Sequence, residues 1–201
     1  MKPLGVAIIG AGRMGGIFAQ SVHSLLGFSR VSFVVSRSQK SAQAMAEQFS
    51  CAYSTQITDA LSDPNVDAVI IAAATPAHAD LAIACIKANK PFFIEKPIAD
   101  SLENGRLILA ALQENPVPNM VGFQRRFDPA YVQAKQHIEA GGLGTLEIFR
   151  SISRDPNMDS SSLEFHLSSG GLIVDLGVHD MDLARWFMGE VLEVQAIGGA
   201  L

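Results

Sequence analysis

Cysteine is scarce: the 201 residues hold two, Cys51 and Cys85, too few for a disulfide framework and without the spacing of metal ligands. Both read as buried small hydrophobes, which fits a reduced, cytoplasmic setting. Charge is sparse too, at 17%, and 15 Lys+Arg against 20 Asp+Glu leave a net −5. With no basic excess, a nucleic-acid partner and a polybasic membrane contact are excluded. Long apolar runs are missing as well. The best stretch, Ala68 to Ile86, is broken by Pro76, His78 and Asp80, short of the roughly 20 apolar residues that cross a bilayer. The apolar segment Leu4 to Ala11 behind Lys2 is too short for a secretion signal and dissolves into glycines. Internal repeats, linkers and low-complexity tracts are absent. What remains is a chain with 48% apolar residues, enough to bury a core.

The first 123 residues alternate short apolar runs with helical periodicity. Val6–Ile9, Val31–Val35, Val66–Ala73, Pro91–Ile94 and Met120–Phe123 read as buried strands. Helices are expected over residues 13–25, 39–49, 57–61, 77–88 and 102–113. This alternation means parallel strands with crossover helices on both faces, an α/β fold with a doubly wound sheet. Residues 1–123 are expected to form a Rossmann domain and 124–201 part of a second, α+β domain. In that second part helices are expected at 129–140 and 171–188, with Gly189 as the stop, and strands at 146–152 and 191–197.

Gly10-x-Gly12-x-x-Gly15 follows the first strand and opens the first helix. The first glycine permits a tight turn, the second lets a pyrophosphate approach the backbone, and the third lets helix and strand pack closely. Helix N-terminal N–H groups then face the phosphates. At the end of the second strand stand Ser36-Arg37-Ser38, with Lys40 nearby and no carboxylate before Glu47. A hydroxyl and a guanidinium suit a 2′-phosphate, so NADP is expected over NAD, which stays as the alternative cofactor. Glu95-Lys96-Pro97 ends the fourth strand, where a lysine can stabilise charge developing on an oxygen. Asp175 and His179 stand four apart on one helix face, with Asp182 a turn further, so a carboxylate can hold and tune an imidazole general base. Gly177 inside that helix costs about 1 kcal/mol and points to a close approach. No metal ligand set is expected, and Tyr131-x-x-x-Lys135 reads as an ordinary helix face.

Together with Thr75-Pro76-Ala77-His78-Ala79-Asp80, Gly122-Phe123-Gln124-Arg125-Arg126-Phe127-Asp128 and the run Gly170 to Asp180, these motifs resemble the Gfo/Idh/MocA oxidoreductases, most closely the inositol 2-dehydrogenases. The resemblance covers essentially the whole chain. It implies hydride transfer between a nicotinamide cofactor and the secondary hydroxyl of a cyclic polyol or sugar. Gly10, Gly12, Arg13, Met14, Gly15, Thr75, Pro76, His78, Glu95 and Lys96 would line the dinucleotide, alongside Ser36 and Arg37. Lys96, Asp175 and His179 would be catalytic; Arg125, Asp155 and Asp182 would face the polyol. The resemblance also implies a cis Lys96–Pro97 peptide and a second domain whose mostly antiparallel sheet forms homo-oligomers. By that comparison the chain ends as the sheet begins, and is expected to be the N-terminal portion of such an enzyme. The rival expectation is a module that binds or senses a dinucleotide without turnover.

Overall fold

The computed structural model describes residues 2–25, 27–154 and 171–199. The chain divides into two compact units, Met1–Gly122 and Phe123–Leu201.

In the first unit the strands are β1 (Leu4–Ile9), β2 (Ser29–Val35), β3 (Ala52–Ser54), β4 (Ala68–Ile71), β5 (Phe92–Ile94) and β6 (Asn119–Val121). They form one sheet in the order β3-β2-β1-β4-β5-β6, with every pairing parallel. Helices α1 (Arg13–Ser24), α2 (Gln39–Phe49), α3 (Ile57–Ser62), α4 (His78–Lys87) and α5 (Leu102–Glu114) make the crossovers. This is the doubly wound α/β sheet that the alternating pattern predicts.

Side chains of β1 alternate between two cores. Val6 and Ile8 join Ala19, Val22, Ala42 and Met45 of α1 and α2 on one face. Ala7 and Ile9 join Ala60, Ala82, Ile86 and Ile108 of α3, α4 and α5 on the other. The β1–β2 register slips by one residue around Ser32, so that Val31 and Val34 reach the same face although three apart. Ser38 and Ser101 cap α2 and α5, each accepting a hydrogen bond from the backbone N–H three residues on. Cys85 is buried, and burial pushes its thiol up to about 12. Cys51 is raised to about 11 by burial, against a smaller downward pull from Arg30. Both thiols are thus held in their protonated form, Cys85 buried and Cys51 half-buried.

The second unit opens with a 3-10 turn, Gln124–Phe127, and α6 (Pro129–Glu139), whose first amides are capped by the Asp128 carboxylate at 2.9 Å from Ala130 N. A helical run from residue 171 ends in α7 (Val178–Met188) and stops at Gly189, with φ +96. Lys135 donates to the Trp186 carbonyl at 2.7 Å and pairs with Glu139, and Tyr131 packs against Phe187, so that helix face is structural as expected.

Two expectations are corrected here. Residues 146–152 and 191–197 form no strand, and no antiparallel sheet is found among the described residues. Alternating apolar residues become a strand only when a neighbour takes their N–H and C=O groups. Here Ile148, Leu192, Val194 and Ile197 are all more than four-fifths exposed. The helix expected over 171–188 is present and stops at Gly189, with a π segment at Ile173–Gly177. A Cβ on Gly177 would meet only Ile173 Cγ2, at 3.8 Å, so no close approach among the described residues demands that glycine.

Candidate functional site

Because all six strands run one way, their carboxyl ends share an edge, and the strand order reverses between β1 and β4. Open α/β sheets take ligands at that reversal. The chain leaves β1 there through Gly10, whose φ is +111, a region costly for any residue with a Cβ. A Cβ on Gly10 would lie 2.5 Å from the Ala72 carbonyl oxygen just past β4. One on Gly15 would lie 1.7 Å from the Gly10 carbonyl oxygen, so glycine there lets α1 close on the turn. Gly12 differs. Its φ is ordinary and a Cβ would meet nothing within 4 Å. The fold therefore does not require glycine at 12. Gly12 is also the N-cap of α1, with no side-chain cap and no acid in the first turn, so the amides of Arg13, Met14 and Gly15 open α1 as a positive end suited to phosphate. These residues fit a dinucleotide.

The other expected cofactor residues lie on the same edge. Ser36 follows β2, its N–H bound to the Ser54 carbonyl at 3.2 Å, and Arg37 beside it is exposed. Thr75 and Pro76 begin a 3-10 turn after β4. Glu95 and Lys96 follow β5: Glu95 N–H donates to the Ile71 carbonyl at 3.0 Å, and Lys96 N–H to Glu95 Oε2 at 3.0 Å. Gly122, after β6, makes room for this carboxylate, since a Cβ there would lie 3.3 Å from Glu95 Oε1 and 2.9 Å from Phe93. The Lys96–Pro97 peptide is cis, as the resemblance implies. His78 heads the helix below them, only 1% exposed, with Nδ1 2.8 Å from the Pro97 carbonyl and Nε2 3.1 Å from the Ala73 carbonyl, so its side chain is sealed beneath the loops.

In the second unit Asp175 lies within the π segment and His179 in the first turn of α7, buried, with the Phe123 ring edge-on at 6.3 Å. The acids next to His179 each hold an arginine. Asp180 accepts from Arg125 at 2.6 Å and from the hydroxyls of Ser151 and Ser153 at 2.5 Å each. Burial raises its carboxyl, but the two hydroxyls and the guanidinium together outweigh that and hold it below the usual carboxylate range. Asp182, 8% exposed, accepts a bidentate pair from Arg126 at 2.8 Å per bond, and Arg126 lies over the Trp186 ring. Arg125 and Asp182, expected to face a substrate, are thus engaged in ion pairs. Asp155 lies outside the described residues. Sequence reading missed Arg126 and Asp180 as partners, although the doubled Arg125-Arg126 and the Asp180-x-Asp182 spacing are the signal that would have found them.

A model described as "Oxidoreductase family, NAD-binding Rossmann fold" (GFO_IDH_MocA) matches residues 4–123, and the GFO/IDH/MocA C-terminal domain matches 131–201. The chain belongs to the Gfo/Idh/MocA family. Among its relatives is the scyllo-inositol 2-dehydrogenase (NAD(+)) of Bacillus subtilis, 33% identical over 96% of this chain and 56% of the relative. The myo-inositol 2-dehydrogenase of Thermotoga maritima is 34% identical over 98% and 58%. The solved scyllo-inositol dehydrogenase of Lactobacillus casei with bound NAD(H) and scyllo-inositol superposes with a TM-score of 0.84 at 28% identity, covering 94% of this chain and 57% of that one. The chain spans a little over half the length of these Gfo/Idh/MocA relatives.

Proposed function

We propose that this protein is a nicotinamide-dependent dehydrogenase of the inositol dehydrogenase type, acting on the secondary hydroxyl of a cyclic polyol or sugar in the cytoplasm, as a homo-oligomer. The observation that carries the reading is the glycine turn at the strand-order reversal, with Lys96 on the same carboxyl edge, in a chain whose relatives are named for inositols. A bound oxidised nicotinamide supplies the hydride acceptor. Gly10, Gly12 and Gly15 shape the turn, and the amides of Arg13, Met14 and Gly15 receive the phosphates, with Thr75, Pro76 and Glu95 beside them. His179 takes the hydroxyl proton as general base, Lys96 donates a hydrogen bond to that oxygen, and Asp175 orients the pair. Other hydroxyls of the polyol fall to Arg125, Asp155 and Asp182, the first and last exchanging an ion-pair partner for the ligand.

NADP is the preferred cofactor in this reading, and it rests on Ser36 and Arg37, since no acid ends β2 to bind the ribose hydroxyls. Fluorescence titration of the chain with NADPH and with NADH tests it: tighter NADPH binding, lost in Arg37→Ala, is expected, and equal or tighter NADH binding refutes it. Turnover of a panel of inositols and hexoses then tests the activity. Lys96→Ala and His179→Ala are each expected to lower kcat by about 10²- to 10⁴-fold while dinucleotide binding holds. Binding without any turnover identifies a dinucleotide-binding module instead.

A further inference from the structure

His78 heads α4, the least exposed charged or polar side chain of the first unit, and the mechanism above gives it no task. Its ring nitrogens face two backbone carbonyls that belong to different loops. Ala73 lies in the connection from β4, and Pro97 in the connection from β5, directly after Lys96. Carbonyl oxygens only accept, so a ring nitrogen that bonds either loop does so as the donor. Strands β4 and β5 are hydrogen-bonded neighbours, so the imidazole closes a bracket at their shared carboxyl end.

We infer that His78 is a positioning residue for Lys96: its Nδ1 bond to the Pro97 carbonyl holds the backbone that carries the Lys96 amine in register with the β4–α4 connection. The inference rests on the proposed role of Lys96 as the group that holds the reacting oxygen. On the amino side, the same backbone is fixed by Glu95 N–H on the Ile71 carbonyl and by Lys96 N–H on the Glu95 carboxylate. His78 supplies a hold on the carboxyl side, at 2.8 Å and shielded from water, where a hydrogen bond is not exchanged for one to solvent. Releasing it lets the segment after Lys96 swing, and a shift of about 1 Å at a reacting group costs on the order of 10²-fold in rate.

The two ring nitrogens permit a clean test, because the amide nitrogen of asparagine stands close to Nδ1 and that of glutamine close to Nε2. His78→Asn keeps a donor for Pro97, His78→Gln keeps one for Ala73, and His78→Ala keeps neither. In the full chain, backbone amide exchange of peptides covering residues 94–99 is expected to quicken about five- to tenfold in His78→Ala and His78→Gln, the worth of one hydrogen bond. It should stay at the wild-type rate in His78→Asn, and peptides from β1 and β2 should not change in any variant. With an inositol that the wild type turns over, kcat should fall about 10²-fold in the alanine and glutamine variants, with dinucleotide Kd and polyol KM unchanged, and recover in His78→Asn. Indistinguishable asparagine and glutamine variants, or exchange that rises equally in β1, overturn the inference, because His78 is then merely packing. A wild type that binds dinucleotide and turns over no polyol refutes the dehydrogenase reading, and the exchange comparison still decides the His78 link.

Discussion

Gly10 and Gly12 stand two residues apart in one turn, yet alanine at each should do different damage. Gly10→Ala places a Cβ at φ +111 and against the Ala72 carbonyl, so it should destabilise the first unit by about 1–3 kcal/mol and abolish dinucleotide binding. Gly12→Ala meets no protein atom. Its thermal midpoint should match the wild type, while NAD(P)H affinity falls about tenfold or more. Thermal melts with and without NADPH separate the two; a Gly12→Ala chain that binds as well as the wild type would remove pyrophosphate approach as the reason for that glycine. At this scale the sequence was legible wherever residue type alone limits the backbone. It was opaque for His78, whose partners lie 5 and 19 positions away. It was equally opaque for Arg126 and Asp182, 56 residues apart in the chain, because an ion pair across that distance exists only once the fold brings both ends together.

Among the elements, the helix that carries His179 is held to its unit by charge as much as by packing. Asp180 gathers Arg125, Ser151 and Ser153, tying α7 both to the turn at Gln124–Phe127 and to the segment after α6. Its carboxyl titrates lower in the folded chain than in the unfolded one, so the unfolded state binds the proton first. The stability it contributes is complete above the ordinary carboxylate range, near 3.9, and disappears as pH falls through its lower folded value. Asp180→Asn should therefore cost about 1–3 kcal/mol at neutral pH and flatten the acid limb of stability. Urea unfolding followed from neutral pH to below 3 checks this, and a parallel loss in wild type and variant would refute it. The helices were readable from their apolar periodicity, and the caps at Ser38, Ser101 and Asp128 emerged only with the structure. Strand β3 was not, since Ala-Tyr-Ser is too short for any period, and it exists because β2 offers it an edge. The expected strands at 146–152 and 191–197 fail for the converse reason: the pattern is there and, among the described residues, the partner strand is not.

At the level of the whole molecule, the first unit has a complete sheet with a core on each face, and the second leaves apolar side chains open, Leu192 fully and Ile197 at 93%. Residues 1–122 prepared alone should unfold cooperatively and bind NADPH as tightly as the whole chain. The whole chain should bind more of a hydrophobic dye, and associate as its concentration rises. A molten 1–122 fragment, or equal dye binding by the two, would contradict this division. The strand order also governs how the chain is made. Central strand β1 leaves the ribosome before both its neighbours and finds β2 soon afterwards, but its other neighbour, β4, follows only after α2, β3 and α3. Until then the nascent half-sheet β3-β2-β1 presents an apolar, unpaired edge along Val6 to Ile9, which is the kind of edge that captures other chains. Substitutions in β4, or at Asp67, whose carboxylate accepts from Gly5 N–H at 2.7 Å beside that edge, should consequently reduce the yield of soluble protein in the cell more than they lower the melting temperature of the molecules that do fold.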